Sequence, residues 1–295
     1  MNINKAKMYL KTLSIFKDEI VLERLGRGLS NYSFLLNNNK KKFVVKFLND
    51  LKLFHTTHIQ EVAANNAAYE VGIAPKIMYH DKKVIIFEYI QSQSLTVEEI
   101  KEKKILKHLI YSLKIIHKKI PLYFRGPAMI TWNFHSIRDY VRILTKMNSL
   151  HIDKLKIYIK DVNIFENISS PFEIVFTHGD FFLSNILNDG KKLWFIDWEF
   201  SGFNSPLNDL ANIAKHGKLN PEEENFILEQ YYKDSFSSKL MCQLNIIKCA
   251  SIIREILWSM IAEIKLPIDY DFNNYTHKTL EKYKIQLDSF KSIYL

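Results

Sequence analysis

A chain of 295 residues with 47% hydrophobic and 25% charged residues has the balance of a folded globular protein, and only 8 glycines and 7 prolines exclude collagen-like and low-complexity architectures. No run of about eighteen apolar residues occurs, which excludes a membrane-spanning helix, and the opening MNINKAKMYLKTLSIFKDEI is interrupted by charges where a signal peptide needs an apolar core. The net charge of +9 is spread over short lysine groups mixed with Glu and Asp, with no arginine-rich motif, so it reads as solvated surface rather than a nucleic-acid footprint.

In chain order, residues 1–91 read as strands with one helix. Val21 to Leu36, VLERLGRGLSNYSFLL, is two extended runs around a turn containing Gly26 and Gly28. Next, KKFVVKFL alternates in the strand period, with Phe43, Val45 and Phe47 on one face and Val44, Lys46 and Leu48 on the other. His58 to Val71 is Ala-rich and free of Gly and Pro, hence helical, and Gly72 stands where a C-cap glycine belongs. KVIIFEYI is a further strand, and a junction follows near Glu88 to Gln91.

From about Val97 the pattern turns helical. Ile105, Leu109, Leu113 and Ile116 recur at spacings of three and four, and further helices are expected from Ser136 to Lys146 and from Asp153 to Ile164. A strand, EIVFTHGD, and a hairpin turning at Asn188-Asp189-Gly190 come next, and the remainder is helical. In that remainder Cys242 and Cys249 lie about two helical turns apart, roughly 10 Å, too far for a disulfide. A reducing cytoplasm is the expected location.

The strongest chemical signal is HGDFFLSN, His178 to Asn185, followed by Asp197 in LWFIDWEF. Phosphoryl transfer needs a carboxylate to orient the attacking hydroxyl and hard oxygen ligands to hold Mg²⁺ against the phosphates. Asp180 suits the first task; Asn185 and Asp197 suit the second. The spacing H-x-D-x-x-x-x-N, then an Asp after an apolar strand, matches the kinase catalytic loop and metal-binding Asp. A polar turn between two strands would use similar residues, but it would not require all four at these positions with strands on both sides.

Upstream, the partners of such a site appear in order. Gly26 and Gly28 lie in a strand-turn-strand whose backbone N–H groups can cover phosphates, with Ser30 and Asn31 beside them. Lys46 is placed to reach the nucleotide phosphates, and Glu61 on the next helix to pair with it. Glu88 and Ile90, at the junction, would border the nucleotide. Each of these residues alone is common; the ordered series is the signal.

At these residues the chain resembles the choline/ethanolamine kinase and aminoglycoside phosphotransferase superfamily, a branch of the protein-kinase-like fold. FTHGDFFLSNIL resembles the catalytic loop, and FIDWEFSGFNSPLNDLAN the metal loop with the helix start that follows it. The resemblance implies an α+β, two-lobed fold, with a small β-rich nucleotide lobe over 1–91 and a larger, mostly helical lobe over 92–295. It implies ATP and Mg²⁺ as cofactors. It also implies that Asp209 anchors the catalytic loop and that His178 holds the loop backbone. HGD in place of HRD, and IDWE in place of DFG, separate the chain from protein kinases.

Within the superfamily the match leans to the choline/ethanolamine branch, which implies a small cationic alcohol as acceptor. The stretch LWSMIAEIKLPIDYDFNNYTHKTLEKY resembles the one that lines the ammonium pocket, with Trp258, Tyr270 and Tyr275 at the matching positions and Glu199 as the accompanying carboxylate. Aromatic faces and carboxylates are what a quaternary ammonium can use. Trp258 also sits among Ile252, Ile253, Ile256, Leu257 and Ile261, so a core role is the other reading. Choline kinases of eukaryotes carry a second Trp where this chain has Glu255, which would face a primary amine or the positive ring of thiamine. Thiamine is therefore the second acceptor and an aminoglycoside-type antibiotic the third. A ligand-binding pseudokinase would be expected to lack Asp180, Asn185, Asp197 or Lys46, and none is missing.

Overall fold

Strand alternation in the first third of the chain builds a sheet that aims Lys46 at the helix behind it. The computed structural model describes residues 1–16, 18–26, 29–39, 41–49, 51–127, 129–169 and 173–294, and Gly28, expected in the phosphate loop, lies outside them. Helix α1 (Ile3–Leu10) precedes strands β1 (Ile20–Arg24), β2 (Tyr32–Asn38) and β3 (Lys41–Phe47). Helix α2 (His58–Glu70) follows, then β4 (Ile77–His80) and β5 (Val84–Glu88). These strands pair antiparallel in the order β1-β2-β3-β5-β4. Val45 and Phe47 join Phe34, Leu36, Val84 and Ile86 in one apolar cluster, closed by Ala6 and Leu10 of α1. Lys46 leaves the opposite face of β3 and meets α2.

Helix α1 was not expected. Its sequence mixes lysine with apolar residues, and it is held from outside: Asn2 caps it by accepting from Lys5 N at 2.9 Å, and the Tyr9 hydroxyl donates to Asp81 Oδ2 at 2.5 Å. Helix α2 ends as its sequence predicts, with Gly72 at φ +78°.

The large lobe opens with β6 (Gln93–Ser94), α3 (Val97–Ile100), α4 (Lys103–Tyr123), α5 (Asn133–Lys146) and α6 (Ile152–Ile168). Short strands β7 (Val175–Thr177), β8 (Ile186–Asn188), β9 (Leu193–Phe195) and β10 (Gly202–Asn204) carry the loops of the cleft. Helices α7 (Pro206–Gly217), α8 (Pro221–Tyr232), α9 (Ser238–Lys265) and α10 (Phe272–Tyr294) complete it. The expected hairpin is β8 with β9, and β6 adds to it as a third strand, while β7 pairs with β10.

The two apolar clusters do not part at the hinge. Leu51, Phe54, Ala64, Ala67, Ala68 and Ile73, all before residue 91, belong to the large cluster with Leu109, Phe176, Leu210 and Ile253. Helix α2 thus presents its alanine face to the helical lobe and its glutamate to the sheet. Among the described residues no helix is long and apolar enough to cross a membrane.

Candidate active site

The loop after β7 is fixed from behind. Asp209, in the first turn of α7 and fully buried, accepts from His178 N at 2.8 Å and from Gly179 N at 2.9 Å. His117 Nε2 lies 3.1 Å from the same carboxylate. The His178 ring accepts from Asp180 N at Nδ1, 3.3 Å, and donates from Nε2 to Ile196 O, 3.0 Å. Both ring nitrogens are engaged as a neutral imidazole requires, and burial lowers the His178 pKa further. Gly179 has φ +81°, and a Cβ there would stand 2.2 Å from Phe200 O. Only glycine lets this loop touch the loop that carries Asp197.

Asp180 ends that turn and lines the cleft. Asn185 Nδ2 donates to Asp180 O at 3.1 Å and to Asp180 Oδ2 at 3.2 Å, so the two residues five apart are locked together. Burial pushes the Asp180 carboxyl up to about 7; Asp197 adds to the rise, and Arg254 and Lys215 oppose it.

Facing them is a charge cluster. The buried Lys46 ammonium lies 2.6 Å from Glu61 Oε1, 2.5 Å from Asp197 Oδ1 and 3.0 Å from Glu199 Oε2. Asp197 holds a left-handed backbone at φ 68°, a strained state for a non-glycine residue. One carboxylate oxygen from each of Glu61, Asp197 and Glu199 falls within 4.8 Å of the others, the spacing of a metal-binding group. Burial raises the pKa of Glu199, opposed by Lys46, and the carboxylates hold Lys46 well above the usual lysine range against its own burial. Asn31 Nδ2 donates to Glu199 Oε2 at 2.7 Å, while Asn49 N donates to Asn31 Oδ1 at 2.8 Å and Asn49 Nδ2 to Ser30 O at 2.6 Å. Asn31 therefore braces a carboxylate through its side chain.

Glu199, expected beside the acceptor ammonium, lines the cleft, and the 3-10 turn Trp198–Phe200 that follows the left-handed Asp197 brings its Oε2 to Lys46.

A continuous cleft of about 600 Å³ runs between the lobes. Gly26, Ser30, Asn31, Lys46, Glu61, Glu88 and Ile90 line one end; Trp258 and Tyr275 line the other; Asp180, Asn185 and Asp197 also line it. Tyr270, expected in the pocket, is not among the lining residues. Its ring packs on Phe272 and Tyr275, with centroids 5.1 and 6.1 Å away. Trp258 answers both of its readings: it lines the cleft, and its ring packs 5.5 Å from Phe54 and 6.0 Å from Phe272.

Around Trp258 and Tyr275 the cleft also holds residues that no motif announced. Lys215 Nζ donates to Glu255 Oε2 at 2.9 Å and to Ser251 Oγ at 2.8 Å, and Ser251 Oγ donates to Asn212 Oδ1 at 2.9 Å. The Tyr275 hydroxyl donates to Glu255 Oε1 at 2.6 Å. Arg254 Nη2 donates to Gly179 O at 3.2 Å. Ser251, Glu255 and Trp258 share one face of α9 at spacings of four and three, and polar residues recurring there in an apolar helix were the available signal.

A family model described as choline/ethanolamine kinase matches residues 22–216. The chain is similar to protein LicA of Haemophilus influenzae, with 26% identity over 264 residues that cover 86% of this chain and 96% of that one. The structure of choline kinase LicA from Streptococcus pneumoniae is similar to it at a TM-score of 0.80 and 20% identity, covering 98% of this chain and 99% of the other. An ethanolamine kinase of Plasmodium vivax is similar at a TM-score of 0.76 and 20% identity, covering 99% and 97%. These structural likenesses establish the two-lobed kinase-like fold.

Proposed function

The chain belongs to the choline/ethanolamine kinase family and is a small-alcohol kinase, and from that premise we propose that it transfers the γ-phosphate of ATP to choline or ethanolamine in the cleft between residues 1–91 and 92–295. The observation that carries this reading is the placement of Asp180 in one cleft with a lysine among carboxylates and with Trp258 and Tyr275.

Asp180 orients the acceptor hydroxyl and takes its proton as the oxygen attacks phosphorus. His178 and Asp209 hold the loop so that the Asp180 carboxylate stays aimed into the cleft. Lys46, steadied by Glu61, binds phosphate oxygens, and the backbone around Gly26 with Ser30 covers them. Glu88 and Ile90 border the rest of the nucleotide.

Mg²⁺ fits the residues present. Three buried or half-buried carboxylates surround one ammonium, a site of hard oxygens with surplus negative charge. Asp197 and Asn185 would hold the ion, with Glu199 beside them, and the ion would neutralise phosphate charge as it develops. Trp258 and Tyr275 flank the acceptor. The two unpaired cysteines, Cys242 and Cys249, support a cytoplasmic setting.

Incubating the protein with ATP, Mg²⁺ and each alcohol, then weighing products by mass spectrometry, tests this reading. Phosphocholine or phosphoethanolamine is expected. Phosphorylation of thiamine or an aminoglycoside with neither alcohol turned over would overturn it.

A further inference from the structure

We propose that the acceptor end of the cleft selects an alcohol bearing a primary ammonium over its N-methylated counterparts, through a hydrogen-bonded wall made by Glu255, Tyr275, Lys215, Ser251 and Asn212. This rests on the reading above, that a cationic alcohol enters this cleft.

All five side chains line the cleft, and they come from three helices, α7, α9 and α10. Their hydrogen bonds have forced directions. Lysine only donates and an ionised carboxylate only accepts, so Lys215 gives protons to Glu255 and to Ser251, and Ser251 passes one to Asn212. Tyr275 gives its proton to the other Glu255 oxygen. Glu255 is ionised throughout: Lys215 first, then His216 and Tyr275, hold its carboxyl down at about 2 against burial. Beside one further N–H each on Lys215 and Asn212, what this wall has left over is lone pairs. Each Glu255 oxygen has accepted one proton here and has room for another, and the Tyr275 oxygen and Asn212 Oδ1 can each accept again. Asp180 adds its carboxylate to the same cleft.

A primary ammonium brings three N–H groups to such a wall. A trimethylammonium brings none, and its methyl groups would displace water from those oxygens without replacing the lost bonds. Charge alone does not reverse this. Among the described residues the acceptor end sets two carboxylates, Asp180 and Glu255, against two cations, Lys215 and Arg254, so these four leave no surplus negative charge for a permanent cation. Tyr140, Phe182, Phe200, Trp258 and Tyr275 also line the cleft, and a ring face attracts a primary ammonium as it does a methylated one, so the rings do not decide between them. The choice between a primary and a methylated ammonium therefore falls to hydrogen bonds, and each N-methyl group removes a donor.

The test is a graded series on the full-length protein with MgATP: ethanolamine, N-methylethanolamine, N,N-dimethylethanolamine and choline. We expect kcat/KM to fall at each of the three steps, by about a thousandfold in total, on the scale of about tenfold for each lost hydrogen bond to a charged group. A flat series, or one rising toward choline, overturns the inference and leaves the kinase reading standing. If none of the four is phosphorylated, the kinase reading fails and this one with it. Glu255→Gln keeps the side chain's shape and removes its charge; it should bring the four compounds within about tenfold by lowering the ethanolamine value, with the KM for ATP unchanged. Should that variant not fold because Lys215 loses its counter-ion, the Lys215→Met/Glu255→Gln double variant removes both charges together and should give the same compression. A series as steep in the variant as in the wild type overturns the role given to Glu255.

Discussion

The two ends of the cleft balance charge in opposite ways. At the nucleotide end one ammonium, Lys46, faces Glu61, Asp197 and Glu199. At the acceptor end Lys215 and Arg254 stand against Asp180 and Glu255. The first arrangement is short of positive charge and is completed by what binds there. The second is complete in itself, so it discriminates by hydrogen bonds and ring contacts. One end is an electrostatic receptor, the other a steric and directional one.

The largest effect should come from the residue standing between the ends. Asp180→Asn should reduce turnover by about a thousandfold or more, at the upper part of the range for a general base, while nucleotide binding survives. Steady-state kinetics with a separate ATP titration checks this; turnover within about tenfold of wild type would remove Asp180 from that role.

Next, Asp197→Ala attacks the nucleotide end alone. It should abolish the Mg²⁺ dependence of ATP affinity, a loss on the order of a hundredfold, with alcohol binding unaltered. Calorimetric titration with and without Mg²⁺ decides the matter, and an unchanged dependence would mean the contrast between the ends has been drawn wrongly.

A smaller effect is expected from Trp258→Ala at the acceptor end. Loss of a ring face against a cation is worth about 2 kcal/mol, or roughly thirtyfold in the acceptor KM, with the KM for ATP nearly constant. Because the ring also packs on Phe54 and Phe272, Tm should fall too. Parallel losses for both substrates would show that the ring acts only as core.

The mildest prediction concerns acid. Glu255 has a pKa held at about 2, below the usual carboxylate value of 4.5. A depressed carboxylate stabilises the fold above its unfolded pKa and loses that contribution as pH falls toward the folded value. Wild-type Tm should therefore drop more steeply between about pH 5 and pH 3 than that of Glu255→Gln. Equal slopes would mean that the Glu255–Lys215 pair contributes nothing to the fold.

Much of the nucleotide end was legible because chemistry fixes its spacing. Asp180 and Asn185 must share one tight loop, Lys46 must alternate with Val45 and Phe47 on a strand, and Glu61 must ride the helix that follows. The acceptor end obeys no such spacing. Lys215, Ser251 and Tyr275 meet only because α7, α9 and α10 pack together, and that packing is written in apolar positions that say nothing of which polar residue faces inward. The contact of Glu199 with Lys46 was not legible for a local reason, since the direction of Glu199 depends on the left-handed turn at Asp197, which no pattern of residue types announces. Strands β6 and β10 escaped because two or three residues cannot show a period, and α1 because its contacts to Asp81 and the sheet lie far along the chain.

The division of the apolar clusters changes what a cut at the hinge would do. Val45 and Phe47, flanking Lys46, belong to the small cluster, whereas Ala64, Ala67 and Ala68, just beyond Glu61, belong to the large one. The Lys46–Glu61 contact is thus a stitch across a seam, and α2 is the anchor of the first fragment inside the second. A protease that severs the chain between Glu88 and Gln91 would leave two pieces that travel as one particle through a sizing column and separate only when denatured. Neither piece would serve as an exchangeable module, because the helix that one supplies is part of the interior of the other.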